Sequence, residues 1–167
     1  MADETTPLAA PDPVIGGIAD LFDDVEWTLS SDQDVLMVPK NRWREVAQAA
    51  RDAGFEMLVD ETVVDFLGKR PVRFELVAGL LSLQHNLRVR LRASMPEDDM
   101  IVDSLVPVYP GANFYEREAY DMFGVTFEDH PDLTRILLPD EWEGHPLRKD
   151  YGVGSVPIQF KSSPEAS

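Results

Sequence analysis

Apolar and polar positions along this chain change period several times, and each change marks an element. After Pro13, Ile15, Ile18, Leu21 and Phe22 recur at helical spacing and predict a short helix. Gly16 and Gly17 weaken it by about 1 kcal/mol each relative to Ala. Residues 25–29 and 35–38 are short apolar runs around the polar stretch 30–34, the pattern of a hairpin. From 41 to 53, Trp43, Val46, Ala47 and Ala50 form one apolar stripe, and Gly54 stands where a left-handed residue would end the helix. Residues 55–66 read as a strand or two broken by Asp60 and Glu61, followed by a loop over 68–71. The best strands are 72–82 and 86–93. In the second, Leu87, Val89, Leu91 and Ala93 alternate with Arg88, Arg90 and Arg92, so one face is apolar and the other carries three guanidinium groups. Residues 102–108 predict a further strand, closed by Pro107 and Pro110 before a helix over 113–123 that stops at Gly124.

Together these periods predict an α+β fold in two layers: a small mixed β-sheet with helices on one face and an irregular C-terminal extension. The domain runs from 13 to 151. Residues 1–12, with Pro7, Pro11 and little to bury, read as a disordered leader. Residues 152–167 are small and polar around one apolar group, Val156, Ile158 and Phe160, and read as an extended arm lying along a neighbour.

Composition narrows the chemistry. Fifteen Lys and Arg against 31 Asp and Glu leave a net charge of −16, which repels phosphate backbones and anionic headgroups and argues against a nucleic-acid partner. No cysteine occurs, so disulfides, a Cys nucleophile and thiolate ligation of zinc or iron–sulfur clusters are excluded. A redox centre must then come from another protein. No stretch approaches the roughly 20 apolar residues of a membrane span, and the expectation is a chain that does not insert in the bilayer directly.

The candidate chemistry gathers in 113–151. Asn113 with Glu116 three residues later has capping-box spacing, and Arg117 and Asp121, four apart, are placed to pair. Glu116 and Glu118 project about 200° apart on a helix and cannot serve one reacting atom. Glu118 with Asp121 could. Two His-Pro pairs follow, His130-Pro131 and His145-Pro146; a metal site would need both histidines to converge with Asp129 or Asp132, which nothing in the spacing demands. One reading of this segment is an acid–base enzyme using Glu118, Asp121, His130 and His145. The other is a charged helix and fixed loops that face a partner.

The stretch GANFYEREAYDMFGVTFEDHPDLTRILLP, residues 111–139, followed by EGHPLRKDY, residues 143–151, resembles the signature of the 30 kDa (C-type) subunit family of proton-pumping NADH-quinone oxidoreductase, respiratory complex I. Carried onto this chain, the signature falls on Glu116, Arg117, Glu118, Asp121, Phe123, Gly124, His130, Pro131, Arg135, His145, Pro146, Arg148, Lys149 and Asp150. Thr134, Tyr109 and Ala78-Gly79 depart from the family pattern, and the last pair suggests close packing against its strand. The resemblance implies a scaffold subunit of the hydrophilic arm, with no catalytic, cofactor or metal residue of its own. FMN and iron–sulfur clusters would sit in partner subunits, among them the quinone-site subunit and the iron–sulfur subunits. The hetero-oligomer would hold this chain peripherally at the cytoplasmic face of the cell membrane. The alternative is the equivalent subunit of a membrane-bound hydrogenase or a ferredoxin-linked complex. Between Lys69 and Arg92 stand six basic residues and one acid, Glu75, so acids of a partner or of the chain's own loops are expected to face Arg88, Arg90 and Arg92.

Overall fold

The computed structural model describes residues 10–152; the first part of the expected leader and nearly all of the expected C-terminal arm lie outside the described residues. Asp12 accepts the Val14 N–H and Pro13 fills the first helical position, which starts α1, Pro13–Ala19. The helix is shorter than its stripe suggests. It ends at Asp20, and Leu21 is left exposed. Strands β1, Glu26–Ser30, and β2, Gln33–Met37, form the expected hairpin, but its turn is only Ser31 and Asp32, both at positive φ (53° and 58°). One 3₁₀ turn leads into α2, Trp43–Asp52, whose stripe of Trp43, Val46, Ala47 and Ala50 is fully buried. Gly54 follows in the left-handed region at φ 96°.

The next strand differs from the expectation. Asp60 and Glu61 do not break it: β3 runs unbroken as Met57–Asp65 and absorbs them with a register shift between Leu58 and Asp60. Beyond that bulge Glu61 points into the core and accepts the Trp43 indole N–H at 3.3 Å. Asp60 lies opposite Gly79, where an added Cβ would meet its Oδ1 at 3.2 Å. The close packing expected at Ala78-Gly79 is therefore this carboxylate on the adjoining strand.

Strands β4, Phe74–Ser82, and β5, Leu87–Met95, pair antiparallel and complete a five-stranded sheet of order β1-β2-β5-β4-β3, in which only β2 and β5 run parallel. The cross-strand pairs Phe74–Met95, Leu76–Ala93, Ala78–Leu91 and Leu80–Val89 all turn to the same side. There they meet Ile15 and Ile18 of α1, the α2 stripe, and Ala112, Ala119, Met122 and Phe123 of α3, Ala112–Phe123, in one core. The helices thus cover one face of the mixed sheet, as expected for the α+β class.

The strand expected over 102–108 is largely absent. Only β6, Ile101–Asp103, forms, pairing in parallel with β7, Thr126–Glu128. After Asp103 the Ser104 hydroxyl accepts the Val106 N–H, and both Val108 and Tyr109 donate to the Leu105 carbonyl, which bends the chain. Tyr109 is buried there and donates its hydroxyl to the Phe55 carbonyl at 2.7 Å, tying this turn to the segment before β3.

Trp43 is the largest fully buried side chain and bridges α2 to β3. Trp43→Ala is expected to cost about 3–5 kcal/mol, read as a fall in the urea unfolding midpoint of the full chain; an unchanged midpoint would show that the helical layer is not held by this contact.

Candidate functional site

The last helix begins at Ala112 with Gly111 as its N-cap and no side-chain cap, so Asn113 does not start it and the capping box does not form. Glu116 is fully buried instead, and its Oε1 accepts the Leu105 N–H at 2.5 Å. Glu118 sits on the exposed face. The helix ends at Gly124, φ 81°, whose N–H returns to the Tyr120 carbonyl.

One turn before that end, Asp121 organises everything that follows. Its Oδ2 accepts the consecutive N–H groups of Ile136, Leu137 and Leu138 at 3.1, 2.8 and 3.0 Å, and its Oδ1 takes the Arg135 guanidinium at 2.6 Å. Burial pushes this carboxyl up, yet the three N–H donors and the guanidinium outweigh it and hold it below the usual carboxylate value. The expected Arg117–Asp121 pair does not form. Arg117 donates to the carbonyls of Thr134 and Arg135 and to the Thr134 hydroxyl. Arg135 also reaches the carbonyls of Trp142 and Gly144. His145 Nδ1 lies 3.0 Å from the Asp121 carbonyl, and the Leu147 N–H donates to the Met122 carbonyl. Gly124 is needed twice over, since a Cβ there would stand 2.7 Å from His145 Nε2.

A second anchor holds the far end of the extension. Arg73, at the start of β4, grips Asp65 with two bonds (3.1 and 2.9 Å), Asp150 with two (3.0 and 2.6 Å) and Glu97 with one (2.6 Å). Arg148 joins Glu97, while the Lys149 N–H donates to Asp65 at 2.8 Å. The Arg73 guanidinium, helped by these N–H bonds, holds Asp65 well below the ordinary range. Asp65 and Arg73 flank the loop between β3 and β4, and no local spacing signals that residues 148–150 close on them.

The two His-Pro pairs fix separate loops. His130 Nδ1 accepts the Asp132 N–H at 3.0 Å and its Nε2 faces the Asn113 carbonyl at 3.3 Å, whereas His145 serves Asp121. Among the described residues no group of three His, Cys, Asp or Glu is placed to hold a metal ion. Nor do Glu118 and Asp121 form an acid–base pair, because both oxygens of Asp121 are committed to the extension. Polar groups are used up in posture, and apolar ones are left outside: Leu133 and Leu138 pack on the core, but Leu137, Leu147 and Phe114 are 61%, 52% and 61% exposed.

The basic strand divides. Arg92 bonds Glu75 at 2.8 and 2.6 Å, and Arg70 shares the same carboxylate. Arg88 and Arg90 are exposed, and among the described residues neither has a carboxylate within 4.0 Å. They line a groove with Gln33, Asp34, Val59, Asp60 and Gly79 on the sheet end opposite Arg92.

Asp121→Asn turns one acceptor oxygen into an NH₂ that opposes a donor. It is expected to destabilise the full chain by about 1.5–3 kcal/mol and to speed trypsin cleavage after Arg135; cleavage at the wild-type rate would show that the carboxylate does not hold the extension.

The model of the family described as respiratory-chain NADH dehydrogenase, 30 kDa subunit, matches residues 36–156, from β2 through the extension. Over 139 residues the chain is 40% identical to the C-type subunit of NADH-quinone oxidoreductase from Saccharopolyspora erythraea, covering 81% of this chain and 56% of that one. The corresponding subunit of Salinispora arenicola is 44% identical over 131 residues, 77% of this chain and 54% of its own. This chain thus spans about half the length of these curated relatives. Among solved structures, the trypsin-resistant fragment (1–134) of Nqo5 superposes with a TM-score of 0.64 at 30% identity, over 72% of this chain and 96% of that one. A chain of an archaeal membrane-bound sulfane sulfur reductase shares the fold, with a TM-score of 0.72 at 21% identity over 92% of this chain and 96% of its own. The helix, the tethered extension and the matched sequence agree: the chain belongs to the family of the 30 kDa subunit of respiratory-chain NADH dehydrogenase.

Proposed function

We propose that this chain is a scaffold subunit of a proton-translocating NADH-quinone oxidoreductase and docks onto its neighbours through the 130–151 extension. The observation that carries this reading is the use made of Asp121. A carboxylate, two arginines and a histidine are consumed in holding an irregular segment whose Leu137 and Leu147, like Phe114 on α3, remain on the surface. A monomer gains nothing from such a display, whereas an interface core is built from apolar anchors of this kind.

In such an assembly electrons pass from NADH through FMN and iron–sulfur clusters in partner subunits to quinone, and the energy released moves protons. This chain, without a cysteine to ligate a cluster, contributes geometry rather than electron transfer. The reading places it in the hydrophilic arm against the quinone-site and iron–sulfur subunits, at the cytoplasmic face of the membrane. Among the described residues no helix is long and apolar enough to cross a membrane; in this proposal the partner subunits hold the chain at the membrane. Arg88 and Arg90 extend the surface. On a chain of net charge −16, two exposed arginines that pair with no carboxylate within 4.0 Å among the described residues are suited to acidic side chains of a neighbour.

A small tag on this chain, with membranes extracted in mild detergent, is expected to recover flavin, iron–sulfur absorbance and NADH-quinone reductase activity together. Clusters without flavin or NADH activity would move the chain to a complex fed by another donor, and a colourless lone protein would overturn the proposal. Within the same preparation, Leu137→Asp is expected to lower recovered partners by about 30-fold, the scale of a 2 kcal/mol interface anchor, with the unfolding midpoint of the chain unchanged. Arg88→Glu with Arg90→Glu is expected to lower recovery most at low salt, because screening removes the difference; recovery independent of both substitutions would rule out these surfaces.

A further inference from the structure

The buried face of α3 carries a feature that docking does not use. Glu116 of α3 is 0% exposed and Glu61 of β3 is 3% exposed, and the two carboxyls influence each other across the α3–β3 layer. Their four oxygens find few donors: the Trp43 indole N–H on Glu61 Oε1, the Leu105 N–H on Glu116 Oε1, and the Ser104 hydroxyl beside Glu116. Both Oε2 atoms are buried without a partner. His130 Nε2 stands 3.9 Å from Glu116 Oε2, but its Nδ1 accepts the Asp132 N–H, which leaves the ring proton on Nε2, facing the Asn113 carbonyl. The charged groups facing the pair are Asp60, beside Glu61, and Arg44 of α2, on the Glu116 side. Arg44 directs its donors to the Ser104 and Glu128 carbonyls and to Asp129. Two buried carboxylates with both Oε2 atoms unpartnered and no guanidinium or ammonium bonded to them are each disfavoured as anions; one proton relieves the repulsion between them.

We propose that Glu61 and Glu116 form a buried one-proton site between β3 and α3, occupied at neutral pH, whose deprotonation loosens α3 and with it the extension tethered to Asp121. Burial pushes both carboxyls up, Glu116 to about 7 and Glu61 well above its ordinary value. A carboxyl raised in the folded state is ionised first in the unfolded chain. Stability is therefore fully present below the unfolded value, near 4.5, and declines as pH rises through the folded one, by up to about tenfold in the folding constant per pH unit for each proton held. The lowered carboxyls, Asp65, Asp121 and Asp150, act in the opposite sense and below this window.

The test uses the full chain with ¹³C-labelled glutamate, following side-chain carboxyl resonances from about pH 4 to 9, with trypsin cleavage after Arg135 measured over the same range. A glutamate carboxyl resonance titrating above about pH 6 that Glu116→Gln or Glu61→Gln removes or shifts, together with cleavage that accelerates about tenfold through that titration in the wild type, is the expected result. The labelled carbon reports glutamate carboxyls alone. All glutamates titrating below about pH 5 would overturn the site, whatever the variants do, and a raised titration with cleavage that stays flat would overturn its link to the extension. Neither readout needs partner subunits, so failure here is distinguishable from failure of the docking proposal.

Discussion

A backbone without helix or sheet must still find partners for its N–H and carbonyl groups, and one carboxylate takes three of them in a row in the segment from His130 to Tyr151. Asp121 accepts three successive N–H groups and orients Arg135, and Arg135 and Arg117 then satisfy carbonyls along the same segment. Several residues between Asp121 and Asp150 serve this tether. Gly124 leaves room for His145; His145 meets the Asp121 carbonyl; Asp150 closes on Arg73 at the opposite end. Because the two anchors lie on α3 and on the β3–β4 hairpin, the extension reports the relative position of helix and sheet.

The sheet and the first two helices are legible in the sequence because their period alone decides which side is buried. The alternation of β5, the stripe of α2 and the β1–β2 hairpin need no knowledge of distant residues. Expectation and structure part where local spacing shows which groups can meet but not which competitor wins. Glu116 has capping-box spacing, yet the N–H of Leu105, brought in by a turn, takes it into the core. Arg117 and Asp121 are four apart on one helix, yet each finds better partners in the extension. Glu61 has the character of a strand breaker because a lone acid is costly to bury; Trp43 and the bulge at Leu58 are what admit it. The signature residues stand out as a set, but their division of labour does not, since the bonds of Asp65 and Arg73 to residues 149 and 150 span most of the domain.

Charge on this molecule is distributed with the same economy. The acids greatly outnumber the bases, and most arginines whose contacts are described are drawn into pairs within the chain: Arg44 to the β6–β7 ribbon, Arg73 and Arg148 to the end of the extension, Arg92 across the sheet to Glu75. Exposed pairs of this type add little stability singly. The partly buried cluster around Arg73 differs, because it combines bidentate geometry with backbone donors, and its value is to define one position for the chain end rather than to add bulk stability. Arg88 and Arg90 stand outside this scheme, on a strand whose opposite face is core.

The same helix therefore has two kinds of carboxylate, and their opposite treatment follows from donor supply. Asp121, at the helix end, is surrounded by N–H groups and a guanidinium, and these donors outweigh the burial that pushes it up, so it is held as an anion. Glu116, little more than one turn earlier, faces Glu61 with half their oxygens unmatched, so burial there favours the acid form. Apolar residues of similar volume would make a more stable α3–β3 layer than two acids do. What the acids add is sensitivity: the layer that sets the position of Asp121 depends on a proton, while Asp121 itself does not in the neutral range. A rigid tether mounted on a titratable bearing transmits a change in the bearing to the surface it carries, and on this chain that surface is the one with the exposed leucines.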